Sequence, residues 1–291
     1  MRVIQNIDSM RKVSHQARSK NKSIGFVPTM GYLHKGHLSL IKKARRECDF
    51  VIISIYVNPI QFGPKEDYKR YPRDLKRDKR LAREEKVDVV FIPKDKDIYP
   101  DGYQTYVDNE GSLSEGLCGA TRPGHFKGVC TIVCKLFNII KPDRAYFGQK
   151  DYQQAQIVKQ MVRDLNMDVK IRVLPTVRDE DGLAISSRNE YLSLSERRRA
   201  LILYRSLQQA KRMIKEGIKD VSCIRSNIKD KIKSIKPTKI DYIEIVDSNT
   251  LKRVNKIDRE VLIALAVWIG RTRLIDNMII SYKPQASSRK L

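Results

Sequence analysis

The stretch Ile24-Gly25-Phe26-Val27-Pro28-Thr29-Met30-Gly31-Tyr32-Leu33-His34-Lys35-Gly36-His37, continuing as Leu38-Ser39-Leu40-Ile41-Lys42-Lys43-Ala44-Arg45-Arg46, decides the fold. Its apolar opening has the composition of a parallel strand buried on both faces. Pro28 and Gly31 break that strand into a turn. From Gly36 onward, apolar residues recur at Leu38, Ile41 and Ala44 with Lys and Arg between them, which is a helical period. Strand, small-residue turn and helix in that order aim unpaired N–H groups and a positive dipole end at one point, where a phosphate is received. His34 and His37 sit in the turn, each able to donate to a phosphate oxygen, and Gly36 leaves the backbone open to a nucleotide. Two histidines three apart also suit a metal. No third ligand of fitting spacing lies near them, the other histidines being His15 and His125.

The rest of the chain repeats the pattern. Residues 8–20 read as a helix behind a capping Asp-Ser pair, and residues 50–57 as a central parallel strand. That strand ends at Asn58-Pro59-Ile60-Gln61-Phe62-Gly63, so Asn58 and Gln61 fall in a carboxyl-end loop, where open α/β sheets bind ligands. A helix over 73–85 and a strand over 87–92 follow, then an irregular stretch over 93–124 with one extended piece at 103–107. An apolar helix is predicted over 129–140 and a strand over 144–147. The strand runs into Gly148-Gln149-Lys150-Asp151-Tyr152-Gln153-Gln154, a second Gly-bearing strand-to-helix turn, with Lys150 within reach of a phosphate. A helix to about Asn166 and a strand over 169–175 close the alternation. The βα units predict a Rossmann-like, doubly wound parallel sheet.

After Pro175 the character changes. Residues 176–182 form a polar linker, followed by Leu183-Ala184-Ile185-Ser186-Ser187-Arg188-Asn189. Then come a long basic amphipathic helix over 195–216, a shorter one over 222–234, and strands over 240–246, 260–269 and 273–280. Gly270-Arg271-Thr272 reads as a hairpin, which makes the last strands antiparallel. The expectation is a nucleotide- and substrate-binding domain over 1–176 and a smaller α+β lid over 177–291, its polar tail from Lys283 unstructured.

Composition limits the function classes. The chain has 291 residues, 41% of them apolar, with 58 Lys and Arg against 34 Asp and Glu, a net charge of +24. Such charge raises a competing reading, a nucleic-acid binder without catalysis. The basic residues are spread along the chain, and dense runs such as Arg197-Arg198-Arg199 fall on predicted helices with a solvated face. No basic platform interleaved with aromatics is present, so nucleic acid is not the expected partner. No apolar run approaches the roughly 20 residues that span a bilayer. Residues 1–23 lack a signal-like apolar centre, which predicts a cytoplasmic protein. Cys48, Cys118, Cys130, Cys134 and Cys223 contain no C-x-x-C pair, and five is odd for a disulfide framework, as suits a reducing compartment.

His34-Lys35-Gly36-His37 after a strand and opening a helix resembles the signature of the nucleotidyltransferase superfamily, which includes the class I aminoacyl-tRNA synthetases. Three further loops join it: Asn58-Pro59-x-Gln61-Phe62-Gly63, Gly148-x-Lys150-Asp151-x-Gln153-Gln154, and Asp181-Gly182-Leu183-Ala184-x-Ser186-Ser187-Arg188-Asn189. With Arg122-Pro123-Gly124-His125-Phe126 and Thr272-Arg273-Leu274-Ile275-Asp276-Asn277, the set resembles the pantoate–β-alanine ligase family over nearly the whole chain.

The resemblance implies a carbon–nitrogen ligase of coenzyme A biosynthesis. ATP and (R)-pantoate would give pantoyl adenylate and pyrophosphate, and β-alanine would displace AMP to form pantothenate. It also implies Mg²⁺ with ATP, and a homodimer. Carried onto this chain, His37, His34 and Lys150 would be catalytic. Met30, Gly31, Tyr32, Leu33, His34, Lys35, Gly36 and His37 would form the nucleotide loop, with their backbone N–H groups contributing. Gly148, Gln149, Lys150 and Asp151 would contact ribose and phosphates. Val177, Ile185, Ser186, Ser187 and Arg188 would close over ATP, the last three as a phosphate clamp. Gln61, Gln154 and Asn58 would bind pantoate and β-alanine. No protein ligand to the metal is assigned, with Asp78 only a possible helper. Gln149 departs from the family's usual Glu and loses a charge there. A different nucleotidyltransferase, such as a cytidylyltransferase, is the nearer rival, but ATP alone does not require Asn58, Gln61, Gln153 and Gln154.

Overall fold

A computed structural model of the chain describes residues 1–64 and 66–281. The first half runs β1 (Arg2–Ile4), α1 (Ile7–Ser19), β2 (Ile24–Thr29), α2 (Lys35–Glu47), β3 (Phe50–Ile55), α3 (Leu75–Glu84) and β4 (Val89–Phe91). Three short helical turns, α4 (Asp95–Ile98), α5 (Ser112–Glu115) and α6 (Leu117–Thr121), lead to α7 (His125–Ile140). Then come β5 (Arg144–Gly148), α8 (Tyr152–Asp164) and β6 (Lys170–Leu174). The strands form one parallel sheet in the order β1-β4-β3-β2-β5-β6. Alternate residues of the same strands reach opposite faces. Val27, Ile53 and Val90 pack with Ile41, Ala44 and Ala82 of α2 and α3, while Phe26, Ile52 and Val89 pack with the apolar residues of α7. Burial on both sides is why these strands read as continuous apolar runs.

The winding reverses between β2 and β5. From β2 the chain proceeds outward through β3 and β4, and from β5 it proceeds the other way to β6. The carboxyl ends of β2 and β5 therefore flank a crevice, the topological switch point.

The second half contains α9 (Leu194–Ala200), α10 (Ile202–Lys215), α11 (Val221–Lys233), β7 (Lys239–Asp247), β8 (Val261–Ile269) and β9 (Thr272–Ile280). The strands form an antiparallel sheet in that order, β8 and β9 joined through Gly270 at φ +59°. Leu203, Leu207, Ile224 and Ile228 cover one face of it. On its other face Leu262, Ala264 and Val246 meet Leu117 and Tyr152, which ties the two sheets together.

Four local expectations change. β1 is an edge strand of three partly exposed residues, too short to stand out, and it exists through its pairing with β4. The stretch over 93–124 holds three helical turns, and residues 103–107 form no strand. α7 begins at His125, earlier than its apolar run, because Gly124 at φ +77° supplies the turn. The long basic helix is interrupted at Leu201, whose N–H bonds the Arg199 carbonyl. The tail from Lys283 lies outside the described residues. Among those described, no helix is long and apolar enough to cross a membrane.

Candidate active site

The turn after β2 is built from inside. Thr29 Oγ1 donates to the Ser54 carbonyl at 2.7 Å and accepts the Gly31 N–H at 3.1 Å. Gly31 and Tyr32 both take left-handed backbone, φ +83° and +50°. Such a pair forms a concave nest of N–H groups that suits an anion. The anion is internal: the Tyr32 and Leu33 N–H groups donate to Asp78 Oδ2 and Oδ1 at 2.8 and 2.7 Å. This corrects the expectation that the whole loop offers its backbone donors to a nucleotide. Asp78 is buried, and its desolvation raises the carboxyl pKa above the ordinary value. The Leu33 side chain lies in the core and Lys35 is exposed.

What the turn does present is the start of α2, which no side chain caps, together with His34 and His37. Their rings stack with centroids 3.9 Å apart and planes 21° from parallel. Both Nδ1 atoms are buried without a partner. Burial, reinforced by Lys150, pushes the His37 pKa down to about 4. Burial, then His37 and Lys150, push His34 down to about 2. Both rings are therefore neutral at pH 7, each with one N–H to donate. A Cβ on Gly36 would stand 3.0 Å from the His34 ring, so this glycine makes room for the stacked pair.

The turn after β3 holds Gln61. Asn58 is buried and fully engaged: Nδ2 donates to Gln61 Oε1 at 3.1 Å and to the Gly128 carbonyl at 3.0 Å, and Oδ1 accepts from Tyr99 at 2.7 Å. Gln61 Nε2 rests on Met30 Sδ at 2.9 Å, a weak acceptor that a ligand oxygen would readily replace. A Cβ on Gly128 would come within 2.6 Å of Gln61 Cα, so helix and turn meet backbone to backbone.

At the turn after β5, Lys150 Nζ lies 3.4 Å from Asp151 Oδ1. Asn277 of β9 grips this turn from behind, its Nδ2 donating to the Gln149 and Lys150 carbonyls, both at 2.9 Å. Gln149 Nε2 turns to Asn277 Oδ1 at 3.4 Å and does not reach the crevice. Gln154 lines the crevice, whereas Gln153 is a staple bonded to Cys118 N–H and to the Leu113 and Gly116 carbonyls.

The fourth loop closes the far side. The Ile185 N–H bonds the Val177 carbonyl at 3.0 Å, making the linker a small hairpin. Arg178 anchors it through a bidentate pair with Asp276 at 2.7 and 2.8 Å, and lies 4.3 Å from the Tyr204 ring centroid. Ser186 Oγ accepts the Arg188 N–H at 3.3 Å, and Ser187 Oγ approaches the Tyr32 carbonyl at 3.5 Å. Arg188 commits Nε and Nη2 to Asp67 at 2.8 and 2.7 Å, so its fork is not the open phosphate clamp that the sequence suggests. Burial alone would raise the Asp67 carboxyl; the Arg188 pair outweighs it and holds the pKa below the ordinary value.

These turns enclose a cavity of about 200 Å³. Met30, His34, Gly36 and His37 line it from the first turn, Asn58 and Gln61 from the second, and Gly148, Lys150, Asp151 and Gln154 from the third. Val177, Ile185, Ser186, Ser187 and Arg188 close it. Of the candidate residues, Gly31, Tyr32, Leu33, Lys35 and Gln149 lie outside its wall. Val129, Ile132, Val133 and Leu136 of α7 supply an apolar wall, and Tyr71 a further side. The wall's only signal in the sequence was a helix apolar on nearly every face. A second cavity of about 300 Å³ adjoins, sharing Lys150, Asp151, Gln154, Ser186 and Arg188, and backed by the antiparallel sheet. Among the described residues, no group of three or more His, Cys, Asp or Glu side chains is arranged to hold a metal.

A doubly wound sheet whose switch-point crevice gathers two neutral imidazoles, a lysine and an uncapped helix start is a nucleotide-binding α/β protein. Comparison with known proteins narrows this. The family model described as pantoate-beta-alanine ligase matches residues 2–279. The chain is 57% identical over 280 residues to the pantothenate synthetase of Thermosipho africanus, covering 96% of this chain and 100% of that protein. The solved pantothenate synthetase of Thermus thermophilus superposes with a TM-score of 0.91 at 44% identity, over 96% of this chain and 99% of that one. The Francisella tularensis pantoate-beta-alanine ligase, solved in complex with beta-gamma ATP and beta-alanine, gives 0.80 at 39% identity, over 96% and 97% of the two chains. The chain belongs to the pantoate-beta-alanine ligase family.

Proposed function

We propose that this chain condenses (R)-pantoate with β-alanine, using ATP to form a pantoyl adenylate and releasing pyrophosphate and AMP. The observation that carries the reading is one cavity with a phosphate-binding side, His34, His37 and Lys150, and a facing side of Gln61, Gln154 and the apolar wall of α7. The amides match the hydroxyl and carboxylate groups of pantoate, and the apolar wall matches its geminal methyls.

When the pantoate carboxylate attacks the α-phosphate, charge builds on the phosphate oxygens and the departing pyrophosphate. Donors fixed in advance at those oxygens lower the barrier. His34 and His37, neutral, each offer one N–H, Lys150 brings the positive charge, and the uncapped start of α2 adds backbone donors. The β-alanine amine then attacks the acyl carbon and AMP leaves. Asn58 serves this site by holding Gln61. Mg²⁺ would be held by the phosphate oxygens of ATP, with Asp151 the carboxylate in the cavity wall, and would neutralise charge on the leaving group.

Arg188 would meet ATP with its full fork by exchanging Asp67 for a phosphate. We assign the regions 1–176 and 177–291 to a nucleotide- and pantoate-binding domain and a lid, hinged at 176–182. Closure would keep water from the adenylate. Equal solution-scattering dimensions with and without ATP would rule that motion out. The enzyme is read as a cytoplasmic homodimer, which light scattering of the purified protein tests for its oligomeric part.

Pyrophosphate release with ATP and Mg²⁺, adding pantoate and β-alanine singly and together, tests the whole reading. Pantoate-dependent release is expected, with AMP and pantothenate appearing once β-alanine is added. His37→Ala should cost roughly 10²–10³ in rate. A folded protein that binds ATP and ignores pantoate would overturn it.

A further inference from the structure

Behind Gln61 lies a chain of part-buried polar contacts, ending at the buried His125, that the reaction chemistry does not use. Glu66 holds Arg122 by two bonds, Oε1 to Nε at 2.7 Å and Oε2 to Nη2 at 2.6 Å. Arg122 Nη1 lies 2.8 Å from His125 Nε2, and His125 Nδ1 lies 2.9 Å from the Gln61 carbonyl. Guanidinium can only donate, so His125 Nε2 must carry its lone pair toward Arg122. The ring proton is therefore on Nδ1, and it donates to Gln61. Only the neutral ring of that one tautomer satisfies both neighbours. Its location in the first turn of α7, where the helix dipole opposes a cation, and its burial enforce neutrality.

We propose that His125 is a positioning residue for the substrate acid, transmitting the Glu66–Arg122 ion pair to the Gln61 turn and thereby fixing where Gln61 meets pantoate. The proposal rests on the reading that Gln61 binds pantoate. His125 lines the adjoining cavity with Glu66 and Arg122, and it meets Gln61 through the backbone carbonyl alone. Its loss acts on one substrate only, since the histidine pair and Lys150 stand on other turns of the cavity.

The two ends of the contact can be cut separately. The Asn amide places an N–H donor near the position of imidazole Nδ1, so His125→Asn keeps the bond to Gln61. The Gln amide reaches toward the position of Nε2, so His125→Gln keeps an acceptor for Arg122 and loses Gln61. In pantoate-dependent pyrophosphate release, His125→Asn, which keeps the Gln61 bond and loses only the ion pair behind it, should raise the pantoate KM about threefold. His125→Gln should raise the pantoate KM roughly tenfold, the equivalent of one lost hydrogen bond, with the ATP KM unchanged. Glu66→Gln carries the same prediction at about threefold should His125→Gln not fold. Equal damage from Asn and Gln, or a joint rise in both KM values, would overturn the proposal and leave His125 a general packing residue. Gln61→Ala runs alongside. A pantoate KM raised there but unmoved by the His125 and Glu66 variants removes the relay alone, whereas an unmoved KM in Gln61→Ala removes the reading of Gln61 and the relay with it.

Discussion

Arg188, in the wall of the cavity, gives its Nε and Nη2 to the two carboxylate oxygens of Asp67, at 2.8 and 2.7 Å. The loop that would hold ATP is thus latched by an internal anion. Asp67→Asn should weaken the latch, costing about 2 kcal/mol of stability in the ligand-free protein because a partly buried guanidinium loses its counter-charge. ATP would then compete with a weaker partner. The thermal shift produced by ATP should be larger in the variant than in wild type, and calorimetric titration should give tighter ATP binding.

The imidazoles set an acid limit. Folded His37 and His125 have pKa values near 4 and near 3, and His34 lies near 2, all lowered by burial first. The unfolded chain protonates its histidines near 6.5, so it takes up protons before the folded chain does. Stability is therefore complete above about pH 6.5 and falls as pH drops toward 4, by up to about 1.4 kcal/mol per pH unit for each ring. Thermal melts from pH 7.5 to 4.5 should show this decline, and His37→Gln should flatten it.

Asp78 holds two backbone donors with two oxygens. Asp78→Asn replaces one acceptor by a donor facing an N–H, leaving it unsatisfied at a cost of about 1–3 kcal/mol. The left-handed Gly31–Tyr32 turn should loosen and His34 should shift. The expected result is an ATP KM raised about tenfold or more in pyrophosphate release, with little change in pantoate KM.

Gly128 meets the Gln61 backbone with no room for a methyl group. Gly128→Ala should cost about 1–3 kcal/mol by overpacking and displace Gln61. Pantoate turnover should fall while ATP binding, followed by calorimetry, is retained.

Asp276 and Arg178 pair deep between β9 and the 177–185 hairpin. Asp276→Ala strands a largely buried guanidinium, 17% exposed, and should destabilise the protein by about 3 kcal/mol. Denaturant unfolding measures the loss, and a rise in ATP KM should accompany it because Val177 and Ile185 lose their anchor.

Most of the strands and long helices were legible because burial on both sheet faces leaves a local mark. The runs at Ile24, Phe50 and Arg144, and the helical period from Leu38 to Ala44, follow from elementary patterning. β1 was not legible, since three half-exposed residues become a strand only beside β4. The same divide runs through the site. Turn residues at strand ends pointed to the crevice, so His34, His37, Gln61 and Lys150 could be picked out together, whereas Gln154, in the first turn of α8, was singled out by the family resemblance.

By itself the sequence determined which turns would carry polar chemistry, because strand ends, glycines and helix starts are local features. Only the tertiary structure decided which groups within those turns remain open. Asp78 lies 45 residues beyond Leu33 and takes its N–H. Asp67 lies 121 residues before Arg188 and takes its fork, and Asn277 lies 128 residues beyond Gln149 and draws it from the crevice. His125 lies 64 residues beyond Gln61 and fixes its turn. Each is a contact between groups far apart in the chain, chosen by distance and donor geometry in the folded protein, and no local pattern encodes it.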